Sequence, residues 1–207
     1  MIVTSLAVLL GTACAEPAPR PLLAEPSTNR EAIYAQGIPF ETFLDRAVRR
    51  RRTWVDNYAR GTVPDDLLAR ARAVPGTWRL LVVTLDACSD SAGTIPYLTH
   101  LVEAVERLEM RMVDPTVGRP VMEAHRTPDG RAATPTIVLL DEAYEEVGCF
   151  LERPSVLQEW ALKALGEMSS EDFLVEKTRW YDEDAGRQTM EAIVVLMERA
   201  ADGRGGC

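Results

Sequence analysis

The sequence predicts an α/β domain: a mixed sheet in the order β-α-β-α-β-β-α, with extra helices at both ends. Three observations predict it. Trp78–Leu85 is a near-continuous apolar run that leads directly into a helical pattern. A second apolar run, Thr136–Leu140, follows Thr134-Pro135 and faces a further strand-like segment, 145–150, across a hairpin-length loop. Between the two runs lies Glu109–Val113, which alternates polar and apolar as a half-buried strand does. The near-continuous runs suit burial on both faces, so strands 78–85 and 135–140 are expected at the centre of the sheet.

The remaining elements follow in order. Residues 40–59 read as one helix, with Phe40, Phe43, Leu44, Ala47, Val48, Val55 and Tyr58 at near-helical spacing, ended by Gly61. Pro64 starts a shorter helix through Ala73, with Asp65 and Asp66 suited to its first turn. Pro75-Gly76 is a turn. Residues 89–107 form a helix with Leu98, Leu101, Val102 and Val105 on one face, and Pro96 inside it marks a kink. A short helix is expected near 119–126, then a turn at Pro128-Asp129-Gly130. Pro154 opens a helix to Leu165 that should cover the sheet together with 89–107. Helices near 170–179 and 186–200 follow, the first capped around Ser169 and Ser170. Residues 201–207 read as a flexible Gly-rich tail.

Composition narrows the function classes. The chain has 207 residues, room for one decorated domain, and 46% hydrophobic content supports a core. A net charge of −9 argues against a nucleic-acid partner. Arg49–Arg52 is the basic run and reads as a solvated helix face. The first fifteen residues carry no charged side chain, and Leu6–Leu10 is too short to span a bilayer. This stretch reads as an export signal in one of two forms. Ala13-Cys14-Ala15 fits a cleavage site; Cys14 after small residues fits a lipoprotein signal, which would tether the protein to a membrane. Without a signal the protein would stay cytoplasmic. Residues 16–39 read as a Pro-rich linker. Cys88, Cys149 and Cys207 do not spell a spaced disulfide framework, nor, with two histidines, a zinc site.

Cys88 ends the first strand and opens a helix. A thiol there sits among unpaired N–H groups and the positive end of the helix dipole, which favour the thiolate, while the charge of Asp90 opposes it. Cys149 reads as a lone packed cysteine, His125 as a surface histidine, and Trp160, Trp180 and Tyr181 as packing aromatics.

Several stretches resemble a bacterial branch of the thioredoxin-like superfamily. Its site usually reads D-W-C-x-D-[CAS]; here the residues are Asp86-Ala87-Cys88-Ser89-Asp90-Ser91. Further matching stretches are Thr94–Leu98, Gly118–Met122, His125–Thr127, Thr134–Thr136 and Arg153-Pro154. The resemblance implies a thioredoxin fold over about residues 40–200 with its core at 78–165. It also implies a cis peptide bond at Thr134–Pro135 and a peptide-binding loop there beside Cys88. Ala87 stands where tryptophan is usual, and Ser91 where a resolving cysteine is usual. The resemblance therefore implies monothiol thiol–disulfide exchange. Cys88 is the nucleophile, Ser91 an accessory hydrogen-bond donor, and Thr134 and Pro135 hold a protein or peptide substrate. An external thiol would resolve the mixed disulfide, and no cofactor or metal is implied. The alternative is a catalytically silent peptide- or protein-binding module.

Overall fold

A computed structural model describes residues 29–207; the expected export signal, Cys14 and most of the linker lie outside them. The core is a four-stranded sheet in the order β2-β1-β3-β4, built from β1 (Trp78–Val83), β2 (Leu108–Val113), β3 (Thr136–Leu140) and β4 (Glu146–Leu151). β1 runs parallel to β2 and antiparallel to β3, and β3 is antiparallel to β4. The two central strands are the two apolar runs, and Leu80 through Val83 and Ile137 through Leu140 are buried completely. Period-2 geometry splits these residues between two cores. Leu80, Val82, Ile137 and Leu139 face one layer with Trp54, Leu98 and Ile193; Leu81, Val83, Val138 and Leu140 face the other with Tyr34 and Val121.

The helices are α1 (Arg30–Ala35), α2 (Phe40–Arg46), α3 (Arg51–Arg60), α4 (Asp65–Ala73), α5 (Ser89–Ala104), α6 (Arg119–Ala124), α7 (Ser155–Ala164), α8 (Ser170–Asp184) and α9 (Arg187–Ala201). Several differ from the sequence expectation. The end of the expected linker folds: α1 buries Ile33 and Tyr34 against the sheet, and Ile38 pairs with Met112 at the β2 edge. The single helix expected over 40–59 is two. The Asp86 carboxylate accepts the N–H groups of Val48 (2.8 Å) and Arg49 (2.7 Å), so these amides leave the helical ladder, and Arg50 turns left-handed (φ 52°). Val48 consequently faces solvent at 81% exposure. α7 packs against α8, and α9 takes the expected place of α7 on the sheet, against β3 and β4. Its buried Met190, Ile193, Val194 and Met197 make a longer apolar stripe than α7 offers.

Pro96 lies within α5 and has no N–H for the carbonyl of Ala92, four residues earlier. The buried side chain of Asn57 fills the vacancy: its Nδ2 donates to Ala92 O at 2.8 Å. Asn57 Oδ1 in turn accepts from Tyr97 Oη at 3.3 Å and from Arg60. The carbonyl that Pro96 leaves open is thus satisfied from α3, which packs alongside.

The C-terminal tail is not free. Gly206 N–H donates to Val147 O in the β4 edge strand at 2.9 Å, and Cys207 is disulfide-bonded to Cys149. Cys149 is therefore not the lone packed cysteine its sequence context suggests, and the tail covers part of a strand edge otherwise open to pairing.

Candidate active site

The loop after β1 brings Cys88 to the N-cap of α5. Its sulfur accepts the backbone N–H of Ser91 at 3.4 Å and donates to the carbonyl oxygen of Thr134 at 3.1 Å. Cys88 as a residue is half-buried. The Thr134–Pro135 peptide bond is cis. The loop carrying it is fixed on both sides. Thr136 Oγ1 donates to Ala133 O at 2.7 Å, and Glu152 N–H donates to Pro135 O at 2.8 Å. The structure thus brings Cys88, Ser91, Thr134 and Pro135 into one site.

The contribution of Ser91 differs from the one expected. Its backbone amide, not its hydroxyl, meets the Cys88 sulfur; the hydroxyl is fully buried and has no hydrogen-bond partner. Cys149 and Cys207 are committed to each other, so Cys88 is the free thiol among the described cysteines.

The site loop is held from behind by the N-terminal helices. Trp54, fully buried, donates its indole N–H to Asp86 O at 3.0 Å, and Arg50 Nε donates to Ala87 O at 2.8 Å. Slight burial works to raise the Asp86 carboxyl, but the backbone N–H groups of Arg49, Val48 and Ala87 outweigh it and hold it below the usual carboxylate range. The arginine run therefore does more than solvate a face. Beside the loop, a cleft of about 310 Å³ opens between Phe43, Thr84, Leu85, Asp86, Met112 and Val117. Neither Cys88 nor Pro135 lines this cleft.

Sequence reasoning missed the charged cluster beneath the cysteine. Asp90 is 5% exposed. Its Oδ1 accepts from Arg153 Nε (2.9 Å) and Tyr181 Oη (3.0 Å), and its Oδ2 from Lys177 Nζ (2.8 Å). Lys177 also donates to Ser89 Oγ at 2.9 Å. Glu152, 3% exposed, joins through Arg153 (2.9 Å) and through Arg131 (2.8 Å). Burial works to raise the Asp90 carboxyl, and the charges and hydrogen bonds of Lys177 and Arg153 overcome it, so it lies below the usual range. The Tyr181 hydroxyl is pushed well above its usual range by burial and by the Asp90 charge. The charge of Asp90 is therefore met inside the network, rather than standing unpaired against Cys88 as the sequence suggested. Gly93 lets α8 approach: a Cβ there would lie 2.6 Å from the Tyr181 ring.

A cysteine at a helix N-cap facing the carbonyl before a cis-proline, on a sheet of this order, defines the thioredoxin-fold class. Comparison with known proteins agrees. A family profile described as Thioredoxin matches residues 37–171, well over half of the chain, and the protein belongs to that family. No curated protein matches it. Among solved structures, a protein of unknown function from Pseudomonas aeruginosa superposes with a TM-score of 0.64 at 16% identity, over 81% of this chain and 96% of that one. An HIV epitope scaffold gives the same TM-score, identity and coverage. At that identity the likeness establishes the fold alone.

Proposed function

We propose that the protein is a monothiol thiol–disulfide exchange protein of the cell envelope, acting through Cys88. One observation carries the reading: the Cys88 sulfur lies 3.1 Å from the Thr134 carbonyl, at a helix N-cap beside cis-Pro135. The Cys88 thiolate attacks one sulfur of a substrate disulfide. A new sulfur–sulfur bond forms to Cys88, and the other substrate sulfur leaves as a thiolate. An external thiolate then attacks the substrate sulfur of this mixed disulfide. It takes the substrate away as a new disulfide and returns Cys88 as thiolate. Ser91 cannot perform that second attack, and the remaining described cysteines are paired with each other. Thr134 and Pro135 orient an extended peptide against the sulfur, and Ser91 fixes it through its amide. Export is supported by the uncharged N-terminal stretch and by the Cys149–Cys207 disulfide, since such bonds persist mainly in oxidising compartments.

Trapping tests this reading. Protein produced in its native host and quenched with acid should carry mixed disulfides that vanish in Cys88→Ala. Ser91→Cys should raise insulin-type disulfide turnover by restoring an internal resolving thiol. A Cys88 that resists alkylation in the folded protein, together with an inert Ser91→Cys variant, would overturn the exchange reading. A silent binding module at the same loop would then remain, as the substitutions Ala87 and Ser91 in the motif favour.

A further inference from the structure

A second sulfur site lies away from Cys88, where α6, β4 and the tail converge. His125 caps the C-terminus of α6, Cys149 lies within β4, and Cys207 reaches them from the tail. One ligand atom from each of the three falls within 4.8 Å of the others, the one such grouping of His, Cys, Asp and Glu found among the described residues. His125 Nδ1 is 3.3 Å from the Cys207 sulfur. Its other ring nitrogen, Nε2, is 2.7 Å from Glu146 Oε1. Glu146 is itself fixed, because its Oε2 accepts from Arg30 Nε (2.9 Å) and Nη2 (2.7 Å). The histidine side chain is only 11% exposed, so this is a held ring and not the surface histidine the sequence suggested.

That arrangement approaches the one a metal-ligating histidine uses: the Glu146 carboxylate contacts Nε2, although in the disulfide form the two are not aligned as a hydrogen bond. A carboxylate holds one nitrogen, fixing the ring and raising the basicity of the nitrogen that faces the cation. Here the nitrogen left over faces two sulfurs.

We propose that the reduced Cys149/Cys207 pair, with His125 Nδ1, is a redox-gated binding site for a soft divalent cation of the zinc class. Two thiolates and an imidazole make a Cys₂His donor set with a fourth position left for water. Thiolate donors select zinc-class ions over magnesium or calcium. The gate is the disulfide. A dithiol reductant delivers two electrons and two protons, the sulfur–sulfur bond becomes two thiols, and the reductant leaves as its own disulfide. Cation binding then releases those two protons to solvent. In the reverse direction a disulfide oxidant takes two electrons from the two thiolates and leaves as two thiolates; the Cys149–Cys207 bond re-forms, both sulfur ligands are lost and the cation is expelled. The tail is consequently pinned to β4 in the oxidised and the metal-bound forms, and is released only in the reduced, metal-free form. None of this depends on Cys88.

Cobalt(II) is the probe. The full chain carrying Cys88→Ser is reduced with dithiothreitol, freed of it by anaerobic gel filtration, and titrated. The expected result is one equivalent of cobalt with a thiolate-to-cobalt charge-transfer band, displaced by zinc. The band should be absent from the disulfide form and from Cys149→Ser and Cys207→Ser. His125→Ala and Glu146→Gln should each weaken binding by about 10–100-fold, with circular dichroism confirming that they fold. Protease cleavage of the reduced tail should slow when zinc is added. A reduced protein with both thiols titratable and no charge-transfer band would overturn the proposal. So would a band of undiminished affinity in both His125→Ala and Glu146→Gln.

Discussion

The smallest decisive group in the molecule is the amide of Asn57. It replaces a hydrogen bond that Pro96 cannot make, and it does so from another helix. Removing it leaves Ala92 O buried without a donor, so Asn57→Ala should cost about 1–3 kcal/mol, read from chemical denaturation. A loss near zero would mean that water or Tyr97 takes over. Gly93→Ala tests the close approach of α8. The added methyl has to displace the Tyr181 ring, at a cost of about 1–3 kcal/mol. Cys88 and Pro135 were legible from the sequence because a strand-to-helix cysteine and a proline before a later strand are local patterns. The Asn57 bond was not. Its two partners lie far apart in the chain, and an asparagine in a helical pattern carries no local sign of its target.

Among the elements, α8 matters to the site most directly, because it delivers Lys177 and Tyr181 to Asp90 while β4 leads into Arg153. Asp90→Asn at neutral pH leaves two cations facing a neutral amide, and a loss of about 3–5 kcal/mol is expected. The same pairing gives a pH signature. The folded carboxyl lies below its unfolded value, so its stabilisation is complete above about pH 4 and is lost as pH falls through the folded value. Urea midpoints should therefore diverge only below about pH 4, where the natural protein falls more steeply toward about pH 2 than Asp90→Asn does; parallel curves over that window would refute the assignment. The order of strands and most helices was legible from apolar runs and breakers. α1 was not, since a six-residue helix has no periodicity of its own and exists through Ile33 and Tyr34 packing on the sheet. The break at 47–50 was hidden for a similar reason: its cause, Asp86, lies across the fold.

At the scale of the whole molecule, the Cys149–Cys207 bond joins positions 58 residues apart and encloses α7, α8 and α9. Cysteine spacing alone could not reveal it, because a cysteine at the end of a Gly-rich tail has no preferred partner in sequence. Closing a loop of this length should contribute about 4 kcal/mol by restricting the unfolded chain, so Cys207→Ser should lower the unfolding midpoint without changing the fold. The bond also sets a load path. A chain stretched between residue 29 and residue 207 would pass force from β4 through the sulfurs directly to the handle, bypassing the three helices in the ring. Under tension the sheet would give way while the enclosed helices bore no direct pull. Adding reductant would release a further extension of roughly 200 Å, visible as a lengthened contour in a single-molecule stretching experiment.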